Sequence, residues 1–164
     1  MATPTNLPAD FNPGQILTAG EMDALRGAFR ILQVKYMDTA TLVSNSTSTF
    51  VASGLTLSIT PQATSSKILA ISVSSIDKSA GNINNGVNLR MRRGSTVLTS
   101  QNAVLFTNSA LIGVGTSPMI FLDSPNTVSA VTYDVQFANF VNTSLVQHNP
   151  NGSASSLVLM EVSA

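Results

Sequence analysis

"VTYDVQF", residues 131–137, alternates Val131, Tyr133, Val135 and Phe137 with Thr132, Asp134 and Gln136. Successive side chains of a β-strand point to opposite faces, so strict apolar–polar alternation is the signature of a half-buried strand. β-Branched and aromatic residues suit that pleated surface. The apolar set is predicted to face a core and the polar set to face water. One such strand cannot build a core by itself and needs partners with the same period.

The chain supplies them on both sides. "VNLRMRR" (87–93) sets Val87, Leu89 and Met91 against Asn88, Arg90 and Arg92, and "RGST" (93–96) turns it into "TVLTS" (96–100), a hairpin. "STSTFVASGLTLSITPQ" (46–62) carries Leu55, Leu57 and Ile59 in alternation before Pro61 closes it. "KILAISVSSI" (67–76) puts Leu69, Ile71 and Val73 on one face and mostly small or hydroxyl residues on the other. "ILQVKYM" (31–37) opens the strand text and "SSLVLMEV" (155–162) closes it, with further short strands fitting 102–106, 110–114 and "MIFL" (119–122). "DKSAGNINNG" (77–86) is turn chemistry throughout, and Pro125 breaks "DSPNTVS" (123–129). Eight or more short strands predict an all-β fold, an antiparallel β-sandwich of the jelly-roll kind. No repeat of fixed period is present, which excludes solenoids and propellers.

The front end reads differently. Pro4, Pro8, Pro13 and Gly14 make residues 1–15 an extended arm. Thr18 then stands three residues before Glu21, the capping-box spacing, and Leu17 can staple to Met22. Met22, Leu25 and Phe29 fall at i, i+3 and i+7, one stripe of a short α-helix. A helix of about eleven residues is marginal alone in water, so it is expected only where its stripe is covered. Residues 1–30 are therefore expected to serve assembly or anchoring, and residues 31–164 to form the β-sandwich domain. Leu17, Met22, Leu25 and Phe29 are the candidate interface residues of that front end.

Composition limits what this fold does. Only 10% of the residues are charged against 43% hydrophobic, and eight Lys and Arg balance eight Asp and Glu. With no net positive field, nucleic-acid binding loses its main source of affinity, and weak self-repulsion favours crowded, repetitive assembly. Cys 0 excludes disulfides and thiolate chemistry. The opening residues lack a basic start and an apolar h-region, and no apolar run approaches a membrane span, so neither a signal peptide nor a membrane partner is expected.

Candidate chemistry is sparse. His148 lies in "QHNPNG" (147–152) with no second His, no Cys and no G-x-S-x-G elbow, and reads as a solvated loop histidine. A glycosidase needs two carboxylates facing one sugar. Asp134 and Glu161 can be neighbours across strands, although one carboxylate on the outward face of each strand is what ordinary sheets show. No enzyme activity, cofactor or metal is expected. Arg90 and Arg92 share one outer face and read as a solvated face or an intersubunit contact rather than an anion site.

Two stretches carry a resemblance. "PGQILTAGEMDAL" (13–25) resembles the G-Q-x-L-T-A-x-x-M-N-x-L opening of tailed-phage fibre and virion proteins, with Asp23 at the usual Asn. Residues 31–164 resemble a β-sandwich module of marine and freshwater phage structural proteins, of the cyanophage and pelagiphage kind. The matching text is "ILQV" (31–34), "LTLSITPQATSSKILAISV" (55–73), "LRMRRGST" (89–96), "FLDSPNTVSAVTYDVQF" (121–137) and "SSLVLMEVSA" (155–164). That module is shared by capsid decoration (cement) proteins and by distal tail-fibre or tailspike domains. The resemblance implies a homotrimer on the surface of the phage particle, made in the host cytoplasm and docked on the major capsid protein or another virion protein. No shaft of heptads or β-repeats separates helix from sandwich, which favours a compact head decoration. The alternative is a knob that contacts host-surface glycans through loops such as 77–86 and 142–154.

Overall fold

A computed structural model describes Ile16 and residues 31–79, 83–141 and 145–163. The expected arm and helix, with Leu17, Met22, Leu25 and Phe29, lie outside the described residues. Ten strands follow in chain order: β1 (Ile31–Thr39), β2 (Val43–Asn45), β3 (Val51–Ile59), β4 (Lys67–Lys78), β5 (Asn85–Arg93), β6 (Thr96–Thr107), β7 (Gly113–Asp123), β8 (Val131–Asn139), β9 (Val146–His148) and β10 (Ser155–Val162). A single 3-10 turn, Pro150–Gly152, lies between β9 and β10. The described residues are thus almost all β, in two antiparallel sheets.

The first sheet is built on β4. One edge of β4 pairs with β7 along its whole length, and the other pairs with β10 and then β9. β1 and β2 continue that pattern outward, pairing with β10 and β9 as one interrupted ladder. The interruption has a local cause. Pro150 has no N–H to give a ladder, and Asn149, Asn151 and Gly152 all take positive φ. The five residues between Asn149 and Ser155 therefore loop out of what is otherwise one strand. The second sheet has the order β3-β8-β5-β6. With β1–β2 and β9–β10 each counted as one broken strand, the first sheet runs first–eighth–third–sixth in chain order, and the second runs second–seventh–fourth–fifth.

Both sheets contribute to one core. Tyr133, Phe137, Leu55, Leu89 and Met91 fill it from the second sheet, and Ile68, Ile76, Leu157 and Leu159 from the first. A polar clasp ties the layers at one end: Arg93 Nη1 and Tyr133 Oη donate to the same oxygen of Asp123, at 2.6 and 2.7 Å. Burial, together with that bond to the carboxylate, raises the Tyr133 phenol above its ordinary pKa. At the other end the buried Lys78 Nζ donates to the carbonyls of Ser109 and Leu111, at 2.8 and 3.1 Å.

The alternation at 131–137 is realised, with Tyr133, Val135 and Phe137 buried, and so is the β5–β6 hairpin, where Arg93 pairs with Thr96 across Gly94 at φ 55°. Two sequence readings change, and the two faces of β4 gain a direction. In β4 the small and hydroxyl face turns inward: Ala70, Ser72 and Ser74 are buried, while Val73 is exposed. The large Tyr133, Phe137 and Met91 of the opposite sheet occupy the volume, and small partners make room for them. The three short strands expected over 102–122 are two long ones, because Ala103 and Leu105, at φ 55° and 57°, sit where the β5–β6 register shifts. Such bulges break the alternation without ending the strand. Finally, the expected loops 77–86 and 142–154 are shorter, since Asp77 and Lys78 end β4, Asn85 and Gly86 open β5, and His148 belongs to β9.

Candidate functional site

An antiparallel sheet with one face on the core ordinarily shows polar residues on the other. The first sheet does not. Its outward side chains form cross-strand rows: Val34, Met160, Leu69 and Leu122 in one, and Tyr36, Val158, Ile71 and Ile120 in the next. A third row reads Asp38, Ser156, Val73 and Pro118. The flanking members are the more open, with Ile120 64%, Tyr36 62%, Leu122 53% and Val34 52% exposed. Val114 carries the apolar stripe further along β7. Strand and residue spacings make the two fully apolar rows a face of about 260 Å², which Val73 and Pro118 of the third row extend. The largest apolar patch of a typical monomer is about 300–600 Å² and is often functional.

The outer face of the second sheet is its chemical opposite. Arg90 and Arg92 both point outward from β5, as their spacing predicts, and both are held by β8. The Arg90 guanidinium donates twice to Gln136 Oε1, at 2.9 and 2.6 Å, and lies 4.0 Å from the centre of the Phe50 ring. Arg92 forms a forked pair with Asp134, its closest approach 2.9 Å. A shallow groove runs beside Arg92 and Asp134 over Gly54, Thr56, Gly94 and Thr132. These are cross-strand pairs within one chain, of the kind that stabilises sheets by a few tenths to one kcal/mol, ~0.2–1.

The carboxylate pair is not assembled. Asp134 stands on the outer face of β8, whereas Glu161 turns inward near the end of β10, an interior strand of the other sheet, and is fully buried. Burial pushes the Glu161 pKa up, but hydrogen bonds from Gln33, Ser66 and the Gln62 and Ala63 amides outweigh it and hold the group below its ordinary value. Gln33 Nε2 and the Gln62 amide donate to it at 2.5 and 2.7 Å. His148 is likewise not a solvated loop residue. It is fully buried, its ring centre 5.6 Å from that of Phe137. Burial lowers its pKa to about 4. Among the described residues no three His, Asp or Glu side chains gather to hold a metal ion, and no helix is long and apolar enough to cross a membrane.

The apolar face is the feature that the alternation argument misses. Its signal is near-continuous apolar text, "LVLM" in β10, "ILAI" in β4 and "MIFL" in β7, which reads as a strand covered on both faces.

No family model and no curated protein matches this chain. Solved structures give low-identity likenesses. Latent PorU from Porphyromonas gingivalis matches at 14% identity and a TM-score of 0.41, over 77% of this chain and 13% of PorU. The VP2 subviral particle of infectious bursal disease virus matches at 9% identity and a TM-score of 0.39, over 80% of this chain and 40% of VP2. The Gx strain of the same virus gives 9% identity and a TM-score of 0.36, over 80% and 38%. The chain spans well under half the length of each of these proteins.

Proposed function

We propose that this chain is a non-enzymatic structural subunit of a phage particle, a homotrimeric decoration (cement) protein that docks on the major capsid protein and stabilises the head. The observation that carries the reading is the apolar outer face of the first sheet, on a chain with 10% charged residues. Leaving that face in water is costly, and a surface repeated on every copy is well suited to a repetitive assembly. We read the fold as a jelly-roll sandwich, which the alternating strand order of the two sheets supports; jelly rolls are a common build for capsid and lectin domains. The groove lined by Thr56, Arg92, Asp134 and Gln136 favours a second reading, a tail-fibre or tailspike knob that contacts host-surface glycans. Neither reading involves nucleic acid, a membrane or a cofactor. Stoichiometry against the major capsid protein in purified particles separates the two. Hundreds of copies per particle are expected of a decoration protein, and a handful would transfer the chain to the tail.

A further inference from the structure

We propose that the apolar outer face of the first sheet is covered by the loop end of a neighbouring copy of this chain. The inference rests on the multimeric reading above and names the contact that makes the multimer. A second set of exposed apolar side chains lies where the β4–β5, β6–β7 and β8–β9 connections meet: Phe106, Leu111, Ile112, Phe140 and Val141, with Leu111, at 69%, more open than any member of the sheet face. The Phe106 and Phe140 rings stand edge to face, their centres 5.8 Å apart, and clustered aromatic side chains are common anchors of interfaces. The connections are fastened to one another. The Ser79 amide donates to the Leu145 carbonyl at 3.1 Å, the Phe140 amide to the Gly86 carbonyl at 3.0 Å, and the Val141 amide to Asn85 Oδ1 at 3.2 Å. Lys78 is buried beneath them with its ammonium on the carbonyls of Ser109 and Leu111, so its charge does not reach the surface from which Leu111 projects. Residues 79–89, 94–122 and 135–160 contain no Asp, Glu, Lys or Arg, and the first two rows of the sheet face are uncharged. Taking a charge out of water is the costly part of many contacts, and this one takes none.

The spacing of the two patches decides whose loop end covers the face. Eight residues separate Ile112 from Ile120, about 27 Å of extended strand, and β7 is laddered to β4 from Gly113 to Asp123. The patches are thus held apart on one sheet, and a copy cannot fold its own loop end onto its own face. A contact of either patch with its own kind about a two-fold axis would bury that patch and leave the other in water. A head-to-tail contact needs two different surfaces on every copy. This chain carries two, a flat one built from four strands and a projecting one built from loops. One contact of this kind, repeated, covers both, and it closes into a ring when the rotation allows, as in a trimer. An unrelated partner seated on one patch would leave the second uncovered, whereas a second copy brings the match for each.

Two substitutions in the full-length chain test the contact, with mass read by light scattering and fold by circular dichroism: Leu111→Asp in the loop end and Ile120→Asp on the face, both at exposed positions. Each variant alone is expected to keep the β-rich spectrum and to fall to about one-third of the wild-type mass, since every junction of a ring is then damaged. Mixed in equal amounts, the two are expected to form a dimer of one copy each, because the Leu111→Asp copy keeps a sound face and the Ile120→Asp copy a sound loop end. Should either variant lose its spectrum, Leu111→Ser and Ile120→Ser take their places in the same mixture. Unchanged mass in Leu111→Asp overturns the proposal by showing that copies meet without the loop end, and unchanged mass in Ile120→Asp overturns it by showing that they meet without the face. Two folded monomeric variants that give no dimer on mixing overturn it as well, and in each of these cases a wild-type multimer leaves the multimeric reading standing. A wild-type chain that is monomeric at all concentrations removes both.

Discussion

His148 is sealed in the core with neither ring nitrogen hydrogen-bonded, so its neutral form is part of the folded state. Its pKa falls from 6.5 to about 4 through burial. Between those values the unfolded chain binds a proton that the folded chain refuses, and stability falls as pH falls, by about 3 kcal/mol across the window. Glu161 adds to this below its ordinary 4.5, because a carboxyl held ionised by hydrogen bonds contributes stability that is lost on protonation. Asp77 works the other way: burial raises its pKa, so its contribution is fullest in acid and lessens as pH rises through the raised value. Urea unfolding at pH 7 and pH 4.5 is expected to show a lower midpoint in acid. His148→Phe keeps an aromatic ring against Phe137 and removes the titrating nitrogens, so its midpoint is expected to be nearly flat over the same interval. An unchanged acid slope in that variant would assign the sensitivity to other groups.

β5 and β6 meet where Gly86 has no room for a side chain. A Cβ there would lie 2.9 Å from the Val104 carbonyl oxygen and 3.0 Å from the Ala103 carbonyl carbon, and backbone cannot swing aside as a flexible side chain can. Gly86→Ala is expected to destabilise the fold by about 1–3 kcal/mol, the usual cost of overpacking, read as a lower melting temperature. In β4, Ser72 presents a buried hydroxyl with no hydrogen-bond partner, so Ser72→Ala is expected to stabilise by about 1 kcal/mol, measured in the same way. These two strands also mark where the sequence is readable. β5 and β8 announce themselves because one face of each is polar, and Arg90 and Arg92 were legible as outward for that reason. β4, β7 and β10 do not, since a strand that is apolar or small on both faces has a period but no sign, and the core side is set by the volume of the opposing sheet. The joint between β9 and β10 has the turn residues of a loop, which hid both the strand and the burial of His148.

Among the described residues the arginines of β5 are engaged within the chain, and this shapes what holds copies together. Among the described residues the two ion pairs, Arg92–Asp134 and Arg93–Asp123, both lie within one chain, and Arg90 is engaged by Gln136 and Phe50. The first two rows of the outer face of the first sheet are Val, Leu, Ile, Met and Tyr, and Asp38 and Ser156 enter only in the third. At 1 M salt the Debye length is about 3 Å, which suppresses attraction between exposed charges, whereas salts do not weaken apolar burial as denaturants do. An assembly made through the sheet face is therefore expected to sediment unchanged from 0.1 to 1 M NaCl, the concentrations at which the screening length falls from about 10 to about 3 Å. Its second signature is sensitivity to replacement of one apolar residue in the middle rows, as for Ile120→Asp, at salt where Arg90→Ala leaves the mass unchanged. If instead the particle falls to monomers in 1 M NaCl, copies are held through charge, and the contact belongs to the arginine-bearing face of the second sheet rather than to the apolar face of the first.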